Sequence, residues 1–526
     1  MYANTDFDEL LKHRSQLHGI DFSKTTASED QVQNRILDTP YIQLDYNRNL
    51  IDAQTLPLLE KFLLSKDFFQ FRDALYRGGI VNATENRSAD HIALRDRHNL
   101  FQGSVEVKNE IQKSLVKMRE LTGIIHSGQS TPFLAGGIKH IVHIGIGGSD
   151  LGPRMVVDAL REFRSPAAPE IFFISSVDPY EIQHVLSKVD LQTTLFLTVS
   201  KSFNTPEIRV ITENILEKFK GEGIGHQNHF IIISANEKAP GILNTHPENF
   251  LKIPESVGGR FSLWSATGLV ICLHLGFDRF SDFLTGASET DRDFLQQPPL
   301  KNLPVILGLL EFWYTNFFQS RFFTVNPYTE RLRLLPMFLQ QLQMESNGKS
   351  TNLDGQHIDY PTSAALIGVS GTACQHSYFQ ALHQGTHFFH ADLIGLLRAP
   401  DFKTNPKNHS FLFSSMLAQA QTMISGYDDS PGEKVEEHKK ISGNKPCNLI
   451  LLKEWKPAVL GNLLAMYEHK TAVLGILWQV NSFDQWGVER GKKICTQIEE
   501  YIDDEKADSS FINPVNKNNI RLFKNL

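Results

Sequence analysis

Cysteine is scarce in this sequence: Cys272, Cys374, Cys447 and Cys495 are the only four among 526 residues. They lie far apart and form no Cys-x-x-Cys pair, so no disulfide framework is expected and a reducing cytoplasm is the expected compartment. No uninterrupted apolar run reaches the length needed to span a membrane. The N-terminal stretch Met1–Glu9 is acidic and has no apolar centre, which is unlike a signal peptide. An excess of positive charge is also missing. Lys and Arg number 52 against 59 Asp and Glu, a formal net charge of -7. That balance excludes a general nucleic-acid binder, although a local basic pocket stays open. Nucleotide fingerprints are incomplete. Gly145-Ile-Gly147 supplies two glycines of G-x-G-x-x-G, but Asp150 stands where the third belongs. Gly348-Lys349-Ser350 matches the end of a P-loop, but Gln343 stands where its first glycine belongs. Short-period repeats and low-complexity tracts are absent.

What is present is ordinary in bulk and patterned in detail. A hydrophobic fraction of 41% and a charged fraction of 21% fit a soluble globular chain. The length implies two or more domains. Up to about Asp96 the chain reads as largely helical, with apolar residues three and four apart in Leu56–Leu64 and Phe68–Leu75. Ser104–Thr122 follows as an amphipathic helix. From Ile138 the pattern alternates. Apolar strand-like runs at His140–Ile146, Pro169–Ile174, Thr193–Val199 and His229–Ser234 are each followed by a turn or a helical stretch. Pro304–Phe318 reads as a buried helix and Thr329–Leu342 as a helical segment. Ala364–Val369, Thr386–Asp392 and Asn448–Leu452 repeat the strand grammar, and Trp455–Val480 reads as helical. Strands alternating with helices predict α/β architecture, parallel sheets with helices on both faces.

Polar residues concentrate just after the strands, the edge where open α/β sheets bind ligands. Ser200-Lys-Ser-Phe-Asn-Thr205 places three hydroxyls and an ammonium at a strand-to-helix turn, a donor set suited to a phosphoryl group. Ordinary helix capping is the competing explanation. Two glycines before Arg260 allow a sharp turn and a close approach to a ligand, against a plain loop arginine. Gln340-Gln-Leu-Gln-Met-Glu-Ser-Asn-Gly-Lys349 surrounds Glu345 with donors, as a general base requires, against an ordinary helix-end acid. His376, near a helix start, can move protons near neutral pH or simply bond to backbone. Lys492 competes with an ordinary i,i+3 pair to Glu489.

Six stretches, in order, closely resemble the glucose-6-phosphate isomerase family. They are Asn82–Arg87 with His91–Arg95, Gly145–Gly152, Ser200–Thr205, Ser256–Leu269, Gln340–Lys349 and Gly475–Lys492. The resemblance implies two doubly wound sugar-isomerase (SIS) domains with helical N- and C-terminal extensions. The expected segments are 1–120 as a helical N-terminal segment on the second domain, 121–290, 291–495, and 496–526 as a C-terminal extension. It also implies a homodimer that converts glucose 6-phosphate into fructose 6-phosphate, in glycolysis and gluconeogenesis, without metal or nucleotide.

Carried over to this sequence, Glu345 would move the proton between C2 and C1. His376 and Lys492 would assist ring opening, and Arg260 would stabilise the cis-enediol charge. Gly148, Ser149, Ser200, Lys201, Ser202 and Thr205 would hold the substrate, the last four at its phosphate. Gln341 and Gln485 would line the pocket. One stretch departs from the family pattern Gly-x-Pro-Gly-Thr-Asn: here Gly368-Val-Ser-Gly-Thr-Ala-Cys374 has Ser370 for the proline and Ala373 for the asparagine. Two other readings remain open, activity on mannose 6-phosphate as well and a non-catalytic sugar-phosphate sensor.

Overall fold

The computed structural model describes residues 5–22, 29–128, 137–398, 406–428, 435–504 and 510–524. The N-terminal stretch, expected to be largely helical, also contains a hairpin of β1 (Ile36–Asp38) and β2 (Ile42–Asp45). Ile42 and Leu44 are fully buried while Gln43 and Asp45 alternate with them, because β2 pairs antiparallel with a strand of the second half.

The first sheet holds β3 (His140–Ile144), β4 (Glu170–Ile174), β5 (Thr194–Val199), β6 (Phe230–Ser234) and β7 (Phe250–Lys252), in the order β4-β3-β5-β6-β7. All its pairings are parallel. Every residue of β5 and β6 is buried, as a sheet covered on both faces demands. From β3 the chain goes to one side, to β4, and then crosses back past β3 to β5 on the other. Their C-terminal ends therefore frame a topological switch point, the crevice where such sheets bind ligands.

The second sheet holds β8 (Phe322–Pro327), β9 (Ala365–Ile367), β10 (Phe389–Leu396) and β11 (Cys447–Leu452), in the order β1-β2-β11-β10-β8-β9. Its four native strands are parallel, and the N-terminal hairpin extends it antiparallel. A second switch point lies at β8, between β9 and β10.

Helix Pro457–Trp478 runs through the middle of the molecule and is apolar on nearly all sides, which suits a helix with no solvent face. It packs against helix Phe277–Gln296 at backbone distance. A β-carbon at Gly286 would stand 1.8 Å from the carbonyl oxygen of Ala458, and one at Gly461 2.0 Å from that of Phe283. Buried charge crosses this contact. Arg95 Nε meets Asp291 Oδ2 at 2.8 Å, Arg95 Nη1 donates to Glu468, and His469 Nε2 lies 2.7 Å from Asp291 Oδ1. Trp264 Nε1 donates to Glu468 Oε1 at 2.8 Å. Burial alone would raise Asp291, but Arg95 and His469 outweigh it and hold the carboxyl at about 2. Among the described residues no helix is long and apolar enough to cross a membrane.

Candidate active site

The turn after β3 is shaped by glycine. Gly147 has φ 59°, open to glycine at little cost. A β-carbon on Gly148 would stand 2.2 Å from the carbonyl carbon of Gly259, so the turn lies directly on the segment that carries Arg260. Asp150, the acid that spoils the dinucleotide fingerprint, is buried and held by Arg154 Nε at 3.0 and 3.1 Å.

The turn after β5 is tied internally. Ser200 Oγ and Thr205 Oγ1 are 3.2 Å apart, Phe203 N donates to Ser200 Oγ at 3.2 Å, and Asn204 N donates to Ser202 Oγ at 3.2 Å. Phe203 sits at φ 57°, a costly conformation for a bulky side chain. It is paid for by packing of the ring against the smaller core under the first sheet. Helix Pro206–Glu222 begins at once, so its N-terminal dipole points back at the turn. Lys201 Nζ donates to Glu255 O at 2.7 Å. Burial, helped by the nearby Arg87 charge, lowers this ammonium to about 8.

A cleft of about 860 Å³ opens over both turns. Gly148, Ser149, Ser200, Lys201, Ser202 and Thr205 line it, and Gln485 and Lys492 complete it from the C-terminal part of the chain. Lys492 also makes the ordinary pair to Glu489 Oε1, at 2.9 Å, so the helix pair and the place in the wall coexist.

Arg260 is 2% exposed and all five of its N–H donors are committed. Nε donates to Ser346 Oγ at 2.6 Å, and Nη2 to the carbonyls of Ser482 at 2.6 Å and Asp484 at 3.0 Å. Nη1 donates to Glu345 Oε2 at 3.3 Å and to Gln485 Oε1 at 3.1 Å. Gln341 Nε2 donates to the same Glu345 oxygen at 3.0 Å. Glu345, Gln341 and Arg260 are thus joined to the cleft through Gln485. Glu345 closes a wide π turn, Gln340–Glu345, that continues helix Leu335–Leu339. Such turns re-aim side chains and recur at functional sites. The helical segment expected over Thr329–Leu342 is broken, because Pro336 sets a new helix start and the wide turn follows.

His376 is exposed at the end of the short helix Gly371–Gln375, on the second sheet's own switch-point edge, and does not line this cleft. Within one chain it is not brought to the other candidates. Ser370, in the departing stretch, donates to Glu330 Oε2 at 2.9 Å. The cleft also takes Glu85, Arg87, Asn204, Trp486 and Lys493, which residue reasoning had not singled out. Glu85, Arg87, Asn204 and Trp486 lie inside the stretches that carry the family resemblance, which is the signal available, and Lys493 lies one residue beyond.

Comparison with known proteins fits this geometry. The phosphoglucose isomerase family profile matches residues 45–517. The chain belongs to the phosphoglucose isomerase family. The glucose-6-phosphate isomerase of Cupriavidus metallidurans is 40% identical over 490 residues, covering 91% of this chain and 90% of its own. That of Chlorobium luteolum is 38% identical over 511 residues, covering 93% and 92%. The crystal structure of a glucose-6-phosphate isomerase from Chlamydia trachomatis superposes with a TM-score of 0.87 at 28% identity, covering 99% of both chains. Phosphoglucose isomerase membership accounts for the two-sheet α/β architecture, with helices at both chain ends.

Proposed function

We propose that this chain interconverts D-glucose 6-phosphate and D-fructose 6-phosphate, the isomerisation shared by glycolysis and gluconeogenesis. The observation that supports it best is the bridge of Arg260 from Glu345 to Gln485, at the wall of a cleft that also contains the Ser200–Thr205 turn. In the open sugar, Glu345 takes the proton from C2 of the aldose and returns it to C1. The electron pair passes through a cis-enediolate whose oxygen charge Arg260 stabilises, while the O2 hydroxyl proton passes to O1, so that C1 ends as the alcohol and C2 as the ketone. Lys492 and His376 assist ring opening. Ser200, Lys201, Ser202 and Thr205 hold the phosphate, while Gly148, Ser149, Gln341 and Gln485 hold and orient the sugar. Binding energy gathered at the phosphate, away from C1 and C2, positions the reacting carbons.

We infer a homodimer in which His376 reaches the cleft from a second copy, since it is exposed and outside its own chain's cleft. The two sheets are read as the two sugar-isomerase domains, and the cytoplasm as the working compartment. A sensor of sugar phosphates would need the phosphate turn but not a carboxylate held against a buried guanidinium.

The deciding experiment is a coupled assay on the purified protein, starting from fructose 6-phosphate and detecting glucose 6-phosphate in the presence of a chelator. Robust turnover is expected. Tight sugar-phosphate binding without turnover would overturn the isomerase reading in favour of a sensor.

Lys201 gives the binding step a pH dependence. With its ammonium lowered to about 8, KM for fructose 6-phosphate is expected to hold steady below that pH and rise above it as the charge is lost. Lys201→Met is expected to raise KM and flatten the rise. The sign for stability is opposite. A lysine lowered from 10.5 costs stability below about 8, and that cost disappears as pH rises towards 10.5. A pH-independent KM between 7 and 9 in the unmodified protein would contradict the assignment.

A further inference from the structure

Asp484 is where four distant stretches of the chain meet. Its carboxylate is 4% exposed and does not line the cleft. Oδ1 pairs with Lys349 Nζ at 2.6 Å, and Oδ2 accepts from Thr84 Oγ1 at 2.5 Å and Asn481 Nδ2 at 2.8 Å. Its backbone carbonyl accepts from Arg260 Nη2 at 3.0 Å and from Lys349 Nζ at 3.1 Å. Trp486 Nε1 donates to the same Thr84 hydroxyl at 3.1 Å, which ties the loop's far end to the N-terminal stretch. The next residue is Gln485, the acceptor of Arg260 Nη1.

We propose, resting on the isomerase reading above, that Asp484 is a positioning residue for the proton transfer, acting through Lys349 and Arg260. Two physical points carry this. The Nη2 donors of Arg260 are spent on the carbonyls of Ser482 and Asp484, so the place of this loop decides where Nη1 points, and Nη1 is what joins Glu345 to Gln485. The second point is charge. Two cations, Arg260 and Lys349, stand near two anions, Glu345 and Asp484, with Glu85 the next carboxylate facing the guanidinium. Asp484, with the carbonyl of Asn481 at 2.7 Å, occupies Lys349 fully. Glu345 is thereby left to Arg260 and Gln341 and is not drawn into a second ion pair that would weaken it as a base. A buried ion pair is seldom worth its desolvation in stability alone. A carboxylate kept behind a reacting group therefore points to a role in geometry and charge.

The test measures kcat, KM and thermal midpoint for the full-length protein and for Asp484→Asn, Lys349→Met and the double variant, with fructose 6-phosphate as substrate. Asp484→Asn is expected to lower kcat by about 10- to 100-fold with KM within about twofold, the scale of a misplacement of roughly 1 Å. The double variant, lacking the freed ammonium, is expected to recover several-fold of the kcat lost in Asp484→Asn. A purely structural role would lower the thermal midpoint and leave kcat of the folded fraction unchanged, with no recovery in the double variant. Either of those kinetic results overturns the inference. If Asp484→Asn does not fold, Thr84→Val, which withdraws one hydroxyl and leaves both charges paired, is read in the same way. A kcat loss of about threefold or more at constant KM, near 0.6 kcal/mol, supports the inference, and an unchanged kcat overturns it. An inactive unmodified chain would overturn the isomerase reading and this inference with it. An active chain with unaltered Asp484→Asn kinetics overturns this inference alone.

Discussion

Glu345→Gln is expected to lose nearly all turnover while the protein stays folded and still binds sugar phosphate. The amide matches the carboxylate in shape, and its oxygen can keep the bond from Arg260 Nη1 now made at 3.3 Å. The turn proposed to hold the phosphate, Ser200–Thr205, belongs to another part of the chain and is untouched. What disappears is the ability to take a proton from carbon and give it back. General acid–base assistance is commonly worth about 10²–10⁴-fold in rate, and a reaction that passes entirely through one base should sit at or beyond the upper end. Turnover by the coupled assay and fructose 6-phosphate affinity by calorimetry separate the two effects. Near-normal turnover in this variant would remove Glu345 from the mechanism, whatever the affinity.

The largest expected effect on stability is that of Arg95→Met. The guanidinium is wholly buried between Asp291 and Glu468, with the Trp264 ring 4.5 Å away. Methionine fills much of the space but takes the guanidinium from Asp291, which is left with His469, and from Glu468, a carboxyl that burial already raises to about 7. Breaking a buried ion cluster from one side costs about 3–5 kcal/mol, because uncompensated charge is left behind. Urea unfolding of both proteins at neutral pH measures the difference, and a loss below about 1 kcal/mol would show the cluster to be energetically idle. The pH dependence follows from Asp291. Held at about 2 against an ordinary 3.8, it contributes stability that is complete above 3.8 and is lost as pH falls towards 2. Without Arg95, burial is no longer outweighed, so this acid-dependent loss between 3.8 and 2 should shrink or reverse.

Much of the first half was legible because its signals are local. The runs His140–Ile144, Glu170–Ile174, Thr194–Val199 and Phe230–Ser234 are apolar and β-branched or aromatic, and each ends in turn residues. A parallel strand buried on both faces has to look like that. The second half was read less well. Phe322–Pro327 is a central strand, yet its short run next to a long apolar helix gave no separate signal. The alternation Ile42, Leu44, Tyr46 was visible in the N-terminal stretch, but three or four residues of period two are too few to outweigh helical neighbours. The wide turn at Gln340–Glu345 had no sequence mark, since a π turn uses the same residues as an α-helix and is imposed by what surrounds it.

By itself the sequence determined the class of the fold, the cluster of hydroxyls and one ammonium in the Ser200–Thr205 turn and, through six ordered stretches, the family. These depend on residue types at short spacing, which a linear chain displays directly. Tertiary structure alone decided which of those stretches form one site. It brought Thr84, Lys349 and Asp484 to a single point and aimed Arg260 at Glu345. It also left His376 exposed on another edge. The physical reason is that such meetings are set by how distant elements pack about the buried helix 457–478, and contacts between residues hundreds of positions apart leave no local trace in composition or periodicity.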